Sequence, residues 1–143
     1  MEYSFWDHMM CLRKQYARML EPVCREWTLT RNELDVMLFL ANNPGFDRAA
    51  DIVERRGIAK SHVSLAVARL ERDGFLERVS DPQDHRAARL ALTEKGRKAA
   101  RAGQQAQRIF FEALYTGISR EERELLRKIL CKIMENAAEM EEI

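Results

Sequence analysis

Nowhere in the 143 residues is there a run approaching the ~18 apolar side chains that a membrane-spanning helix requires. Proline and glycine are scarce too, at three and six residues. So few turn formers leave little room for long loops or a many-stranded β fold, and the bulk of the chain is expected to be helical. Cysteine is limited to Cys11, Cys24 and Cys131, an odd count without paired spacing, as in a reduced intracellular protein. The opening Met1-Glu-Tyr-Ser-Phe-Trp-Asp7 lacks the basic region and apolar core of a secretion signal, so a cytoplasmic location is expected. No nucleophile elbow, Walker loop, dinucleotide fingerprint or H-E-x-x-H is present, and neither an enzyme nor a bound cofactor is expected.

What is present suits a folded chain: 46% of residues are hydrophobic and 33% charged, a balance that excludes intrinsic disorder. Basic and acidic residues nearly cancel, at 24 against 23. Their distribution is uneven. Residues 48–97 hold 11 basic and 8 acidic side chains, a local excess of positive charge where the motifs also lie.

Apolar residues at Phe5, Met9, Leu12, Tyr16, Met19, Leu20 and Val23 step by three and four, which predicts a helix over residues 5–24 that Pro22 kinks or ends. Thr30-Arg-Asn-Glu33 is a capping box opening a second helix, stopped by Asn42-Asn-Pro-Gly45. A short helix over residues 48–55 ends at Gly57, and a longer one spans Lys60 to Arg72 before Asp73-Gly74. Two short runs, Phe75–Val79 and Ala88–Leu92, flank a Pro and Asp cluster and read as a β-hairpin with a long tip. Thr93 caps a helix to about Tyr115, and Ser119-Arg-Glu-Glu122 opens a last one with Leu125, Leu126, Ile129, Leu130, Ile133, Met134 and Ala137 along one face.

Helix, Gly-containing turn, helix, then a two-stranded hairpin is the order of a winged helix-turn-helix. Ile52, Ile58 and Val63 stand where its two helices pack, and Gly57 stands where positive φ is needed. The second helix opens with Lys60-Ser-His-Val-Ser64, a dense donor set. Lys60, Ser61, His62 and Ser64 are therefore candidate contacts to duplex DNA in the major groove. The hairpin tip, Asp84-His85-Arg86, adds Arg86 as a minor-groove contact, with Asp84 orienting it or a neighbouring base.

Residues 29–96 resemble the MarR-type transcriptional regulators. The likeness is densest at Lys60–Ser64, at Leu70-Glu-Arg-Asp-Gly-Phe-Leu-Glu-Arg78, at Asp81-Pro-Gln-Asp-His-Arg86 and at Leu92-Thr-Glu-Lys-Gly96. The resemblance implies a homodimer on a pseudo-palindromic operator, a repressor released by a small ligand or an oxidant. It implies a mainly α fold with a small β-hairpin wing: a dimerisation helix over 1–28, a winged helix-turn-helix over 29–93 and dimerisation helices over 94–143. It places an effector between dimer helices and DNA lobes, making Met9, Arg13, Tyr16 and Phe39 candidate ligand contacts. Two positions depart from the family pattern. Val53 replaces a common Ala, and Ala59 stands where a Ser, Thr or Asp cap is usual, a loss of about 1 kcal/mol.

His8 and Cys11, with Asp7, share one helix face, but no second pair completes a metal shell, so no metal is expected. Cys11 as an oxidant-sensing thiol is the alternative within the regulator class, against a Cys packed in the helix interface. A helical interaction module that binds no DNA is the alternative outside it.

Overall fold

The computed structural model describes residues 4–84 and 87–140. Its elements, in order, are α1 (Phe5–Trp27), α2 (Arg31–Asn42), α3 (Ala49–Arg56), α4 (Lys60–Arg72), β1 (Leu76–Val79), β2 (Arg89–Leu92), α5 (Glu94–Leu114) and α6 (Arg120–Glu139). The chain divides into two compact units, Met1–Phe110 and Phe111–Ile143.

In the first unit one hydrophobic core gathers Leu20 and Val23 of α1, the apolar residues of α2, Ile52 of α3, and Val63, Ala66, Val67 and Leu70 of α4. Phe75, Leu76 and Leu90 of the hairpin and Ala99, Ala100 and Ala106 of α5 complete it. The helix start signals act as expected. Thr30 Oγ1 accepts the Glu33 N–H at 3.2 Å while Glu33 accepts the Thr30 N–H at 2.7 Å. Gly57 closes α3 in the left-handed region with φ of 63°.

Pro22 neither ends nor interrupts α1, which runs five residues beyond it to Trp27. Proline removes one helical hydrogen bond and crowds the preceding turn. Against that cost the last turns seat Val23 in the core and half-bury Cys24 and Trp27 against it. The helix then stops at Thr28, held at φ of 53°, where Leu29 donates back to the Cys24 carbonyl at 2.8 Å. A β-branched residue there is strained.

The hairpin pairs β1 with β2 antiparallel in the register Leu76↔Leu92, Arg78↔Leu90 and Val79↔Arg89. α5 is fastened to its base. Thr93 caps α5 by accepting the Gly96 N–H at 3.1 Å, and its own hydroxyl donates to the Gly74 carbonyl at 2.6 Å. Gly96 lies so close to the Phe75 carbonyl that a Cβ there would stand 1.9 Å from the oxygen. This contact is why the Leu92-Thr-Glu-Lys-Gly96 stretch needs glycine at its end.

In the second unit Ser119 and Glu122 form the capping box of α6. Along α6, Leu125, Leu126, Ile129, Leu130, Ile133 and Met134 are all exposed.

Candidate nucleic-acid interface

The helix-turn-helix is built by burial on one side only. Ile52 and Val63 are buried and Ile58 half-buried, which fixes α3 against α4. Helical spacing then turns Lys60, Ser61, His62, Ser64, Leu65, Ala68 and Arg69 of α4 outward, and all are exposed. Ala59 offers no side-chain cap to α4. Its carbonyl receives the His62 and Val63 N–H groups at 2.9 and 3.0 Å. The N–H groups of Lys60 and Ser61, lying ahead of the first helical turn's acceptors, are directed out of the helix end, a geometry suited to a phosphate.

Beside α4 the hairpin is braced by a network that sequence reasoning missed. Asp81, two residues past β1, is 4% exposed. Its carboxylate accepts the Gln83 N–H at 2.9 Å, pairs with the Arg48 guanidinium, and lies 3.7 Å from Arg89 Nε. The Gln83 N–H, then the Arg89 and Arg48 charges, hold this carboxyl below the ordinary carboxylate range against the opposing pull of burial. Arg89 thus links β2 to Asp81 and to Asp47 at 4.0 Å. The Leu90 N–H donates to the Asp47 carbonyl at 2.7 Å, which ties the turn before α3 to the hairpin. A positively charged residue just before α3 and an Asp-Pro after β1 were the available signals, but their pairing spans 33 residues.

Asp84 was expected to orient Arg86. Its carboxylate lies 3.7 Å from Arg48 Nη1, at the edge of the same brace. His85 and Arg86 lie outside the described residues.

Of the candidate ligand residues, Arg13, Tyr16 and Phe39 line one pocket of about 520 Å³ together with Arg31, Arg56 and Gln107. Met9 is not brought to that pocket; it is exposed on α1, two turns before Tyr16. The pocket wall is ordered by contacts between distant elements. Tyr16 Oη receives a hydrogen bond from Gln107 Nε2 at 2.6 Å, Arg31 lies 4.9 Å over the Tyr16 ring, and Arg56 lies 5.0 Å over Phe39.

Cys11 is exposed, not packed: among the described residues, none of α1 before Tyr16 belongs to the core or packs on it. Cys24 is half-buried, and burial pushes its thiol up. Among the described residues no three His, Cys, Asp or Glu side chains gather as a metal site. No helix among them is long and apolar enough to cross a membrane.

Comparison with known proteins accords with this geometry. The profile of the MarR family matches residues 27–87, the stretch from the end of α1 to the hairpin tip. Transcriptional regulator HosA of Escherichia coli O111:H- is 30% identical over 106 residues, covering 74% of this chain and 78% of HosA. The chain belongs to the MarR family. HTH-type transcriptional regulator BilQ of Clostridioides difficile (strain CD3) is 26% identical over 97 residues, and the chain spans 65% of its length. The S. aureus MepR–DNA complex is similar in fold, with a TM-score of 0.78 at 20% identity over 94% of this chain and 99% of that one. The mainly helical fold with its two-stranded wing is a winged-helix fold, and the relatives are transcriptional regulators, not enzymes.

Proposed function

We propose that the chain works in the cytoplasm as a homodimeric repressor that binds a pseudo-palindromic operator and is released by a small effector. The observation that carries this reading is the division of α4: four apolar side chains hold it in the core while Lys60, Ser61, His62 and Ser64 project outward from an uncapped helix start. In the major groove that edge puts Lys60 and Ser61 at the backbone and His62 and Ser64 at base edges. In this reading Asp84, His85 and Arg86 are the residues assigned to the flanking minor groove. The MepR–DNA complex, with the same fold, supports DNA as the partner.

The homodimer is supported by unpartnered apolar faces: Phe5, Trp6, Met9 and Met10 on α1 in the first unit, and Ile129, Leu130 and Ile133 on α6 in the second. Apolar stripes of this extent are covered by protein partners, and self-association gives a two-fold dimer matched to an inverted repeat. The pocket lined by Arg13, Tyr16, Arg31, Asp35, Phe39 and Arg56 holds three arginines against one carboxylate, Asp35, which pairs with Arg31, and fits an anionic effector carrying an apolar ring.

The test titrates the protein, His62→Ala and Arg86→Ala against a selected operator and its scrambled form at 50 and 200 mM salt. The protein is expected to lose affinity steeply with salt. His62→Ala should lose about 1 to 3 kcal/mol of discrimination between the two duplexes. Arg86→Ala should weaken both complexes alike. No salt-dependent binding to any duplex would leave the helical interaction module instead. A thiol sensor is the second reading, favoured by the exposure of Cys11. Loss of oxidant-induced release in Cys11→Ser would establish it over the small effector.

A further inference from the structure

Leu65 stands out on the outward side of α4. Helical spacing sets it beside Ser61 and His62 one turn before and Ala68 and Arg69 one turn after, all exposed. Its own side chain is 52% exposed. Only two other large apolar residues between 29 and 93 are exposed among those described, and both differ in kind. Phe46 is 37% exposed beneath the Arg55 guanidinium, which lies 3.7 Å from its ring centroid, and Val79 belongs to the hairpin. Leu65 is therefore the one large apolar group on a face otherwise made of hydroxyls, an imidazole, cations and the small Ala68. A single exposed leucine on a protein surface needs no explanation by itself. Here its neighbours decide: in a major groove flanked by those donors, the apolar feature offered by a base edge is the C5-methyl of thymine.

We propose that Leu65 reads thymine, packing its side chain on the C5-methyl of one base pair in each half-site. The inference rests on the placement of α4 in the major groove. It assigns the middle of the helix to shape-fitting apolar contact and leaves hydrogen bonding to the residues on either side. A leucine offers neither donor nor acceptor, so it penalises any pair that presents a polar group at that position. Loss of one methyl-sized contact should weaken binding about four-fold, and loss of one in each half-site about fifteen-fold.

The test separates the methyl from everything else on the base. A duplex is enriched by the full chain from a random pool, then remade with dU at each thymine in turn, which removes only the methyl. Fluorescence anisotropy is recorded for the protein, Leu65→Ala and Leu65→Met, with thermal melts to verify folding. One symmetric pair of thymines should show the fifteen-fold loss with the unaltered protein. Leu65→Ala should bind the dT and dU duplexes equally, and Leu65→Met should restore the preference. Equal binding of dT and dU duplexes by the unaltered protein, or an undiminished preference in Leu65→Ala, overturns the assignment while leaving the DNA-binding reading intact. Failure to enrich any duplex overturns both.

Discussion

Replacing Gly96 with alanine tests the packing that seats α5 on the wing. Gly96 occupies the first turn of α5, its N–H given to Thr93 Oγ1 at 3.1 Å. A Cβ on it would lie 1.9 Å from the Phe75 carbonyl oxygen and 2.9 Å from the carbonyl carbon, more than about 1.5 Å short of van der Waals contact. The obstacle is backbone, so it cannot rotate away. It also accepts the Thr93 N–H at 3.0 Å, so moving it disturbs the cap as well. Overpacking of this kind costs about 1 to 3 kcal/mol, and the strained hydrogen bond about 1 more. Alanine's better helix propensity offsets at most about 1 kcal/mol. The expected net loss is about 2 kcal/mol. With a urea m-value of about 2 kcal/mol per molar, the midpoint should fall by about 1 M at fixed protein concentration. Gly103→Ala is the matched control. There the nearest atom is the tip of Leu38, Cδ2 at 2.8 Å, which can turn aside. That variant should stay within about 1 kcal/mol of the parent. Equal midpoints for the two variants would refute the argument that the carbonyl contact dictates glycine.

Three further outcomes follow from the same structure. Thr28→Gly should stabilise the fold by about 0.5 to 1 kcal/mol, read as a higher urea midpoint, because glycine accepts φ of 53° without the β-branched penalty; an unchanged or lower midpoint counts against strain at that cap. The Asp81 carboxyl is held low in the folded state, so its contribution is present above the unfolded carboxylate value, near ~3.9, and is lost as pH falls through the folded value. Asp81→Asn should therefore be less stable than the parent at pH 7, with the gap closing as pH drops below about 4; a gap constant with pH would exclude the charge as the cause. Ile129→Asp puts a charge in the middle of the exposed apolar face of α6, and light scattering should report monomers in place of dimers; an intact dimer would move the subunit interface elsewhere.

Much of this architecture was written locally. The range of α4, Lys60–Arg72, matches its sequence reading because both of its ends are signalled by neighbours, Gly57 before it and Asp73-Gly74 after it. The capping boxes at Thr30 and Ser119 start α2 and α6 for the same reason: the donor and acceptor are three residues apart. The outward set of Lys60, Ser61, His62 and Ser64 needed only helical period and the apolar residues between them.

Only the tertiary structure decided the rest. Pro22 reads locally as a kink or a stop, and α1 continues past it because Val23 and Trp27 find the core, which no window on the sequence contains. Asp81 reads as a turn residue until Arg48, 33 positions away, is folded against it. Tyr16 and Gln107 meet across 91 positions to order a pocket wall, whereas Met9, on the same helical stripe as Tyr16, is left outside it. Local chemistry specifies where a helix begins and which side of it is apolar, since those depend on bonds and periods a few residues long. Which apolar side is covered, which charge is buried and which glycine is indispensable depend on backbone brought close from far along the chain. Phe75 pressing on Gly96 is the sharpest case.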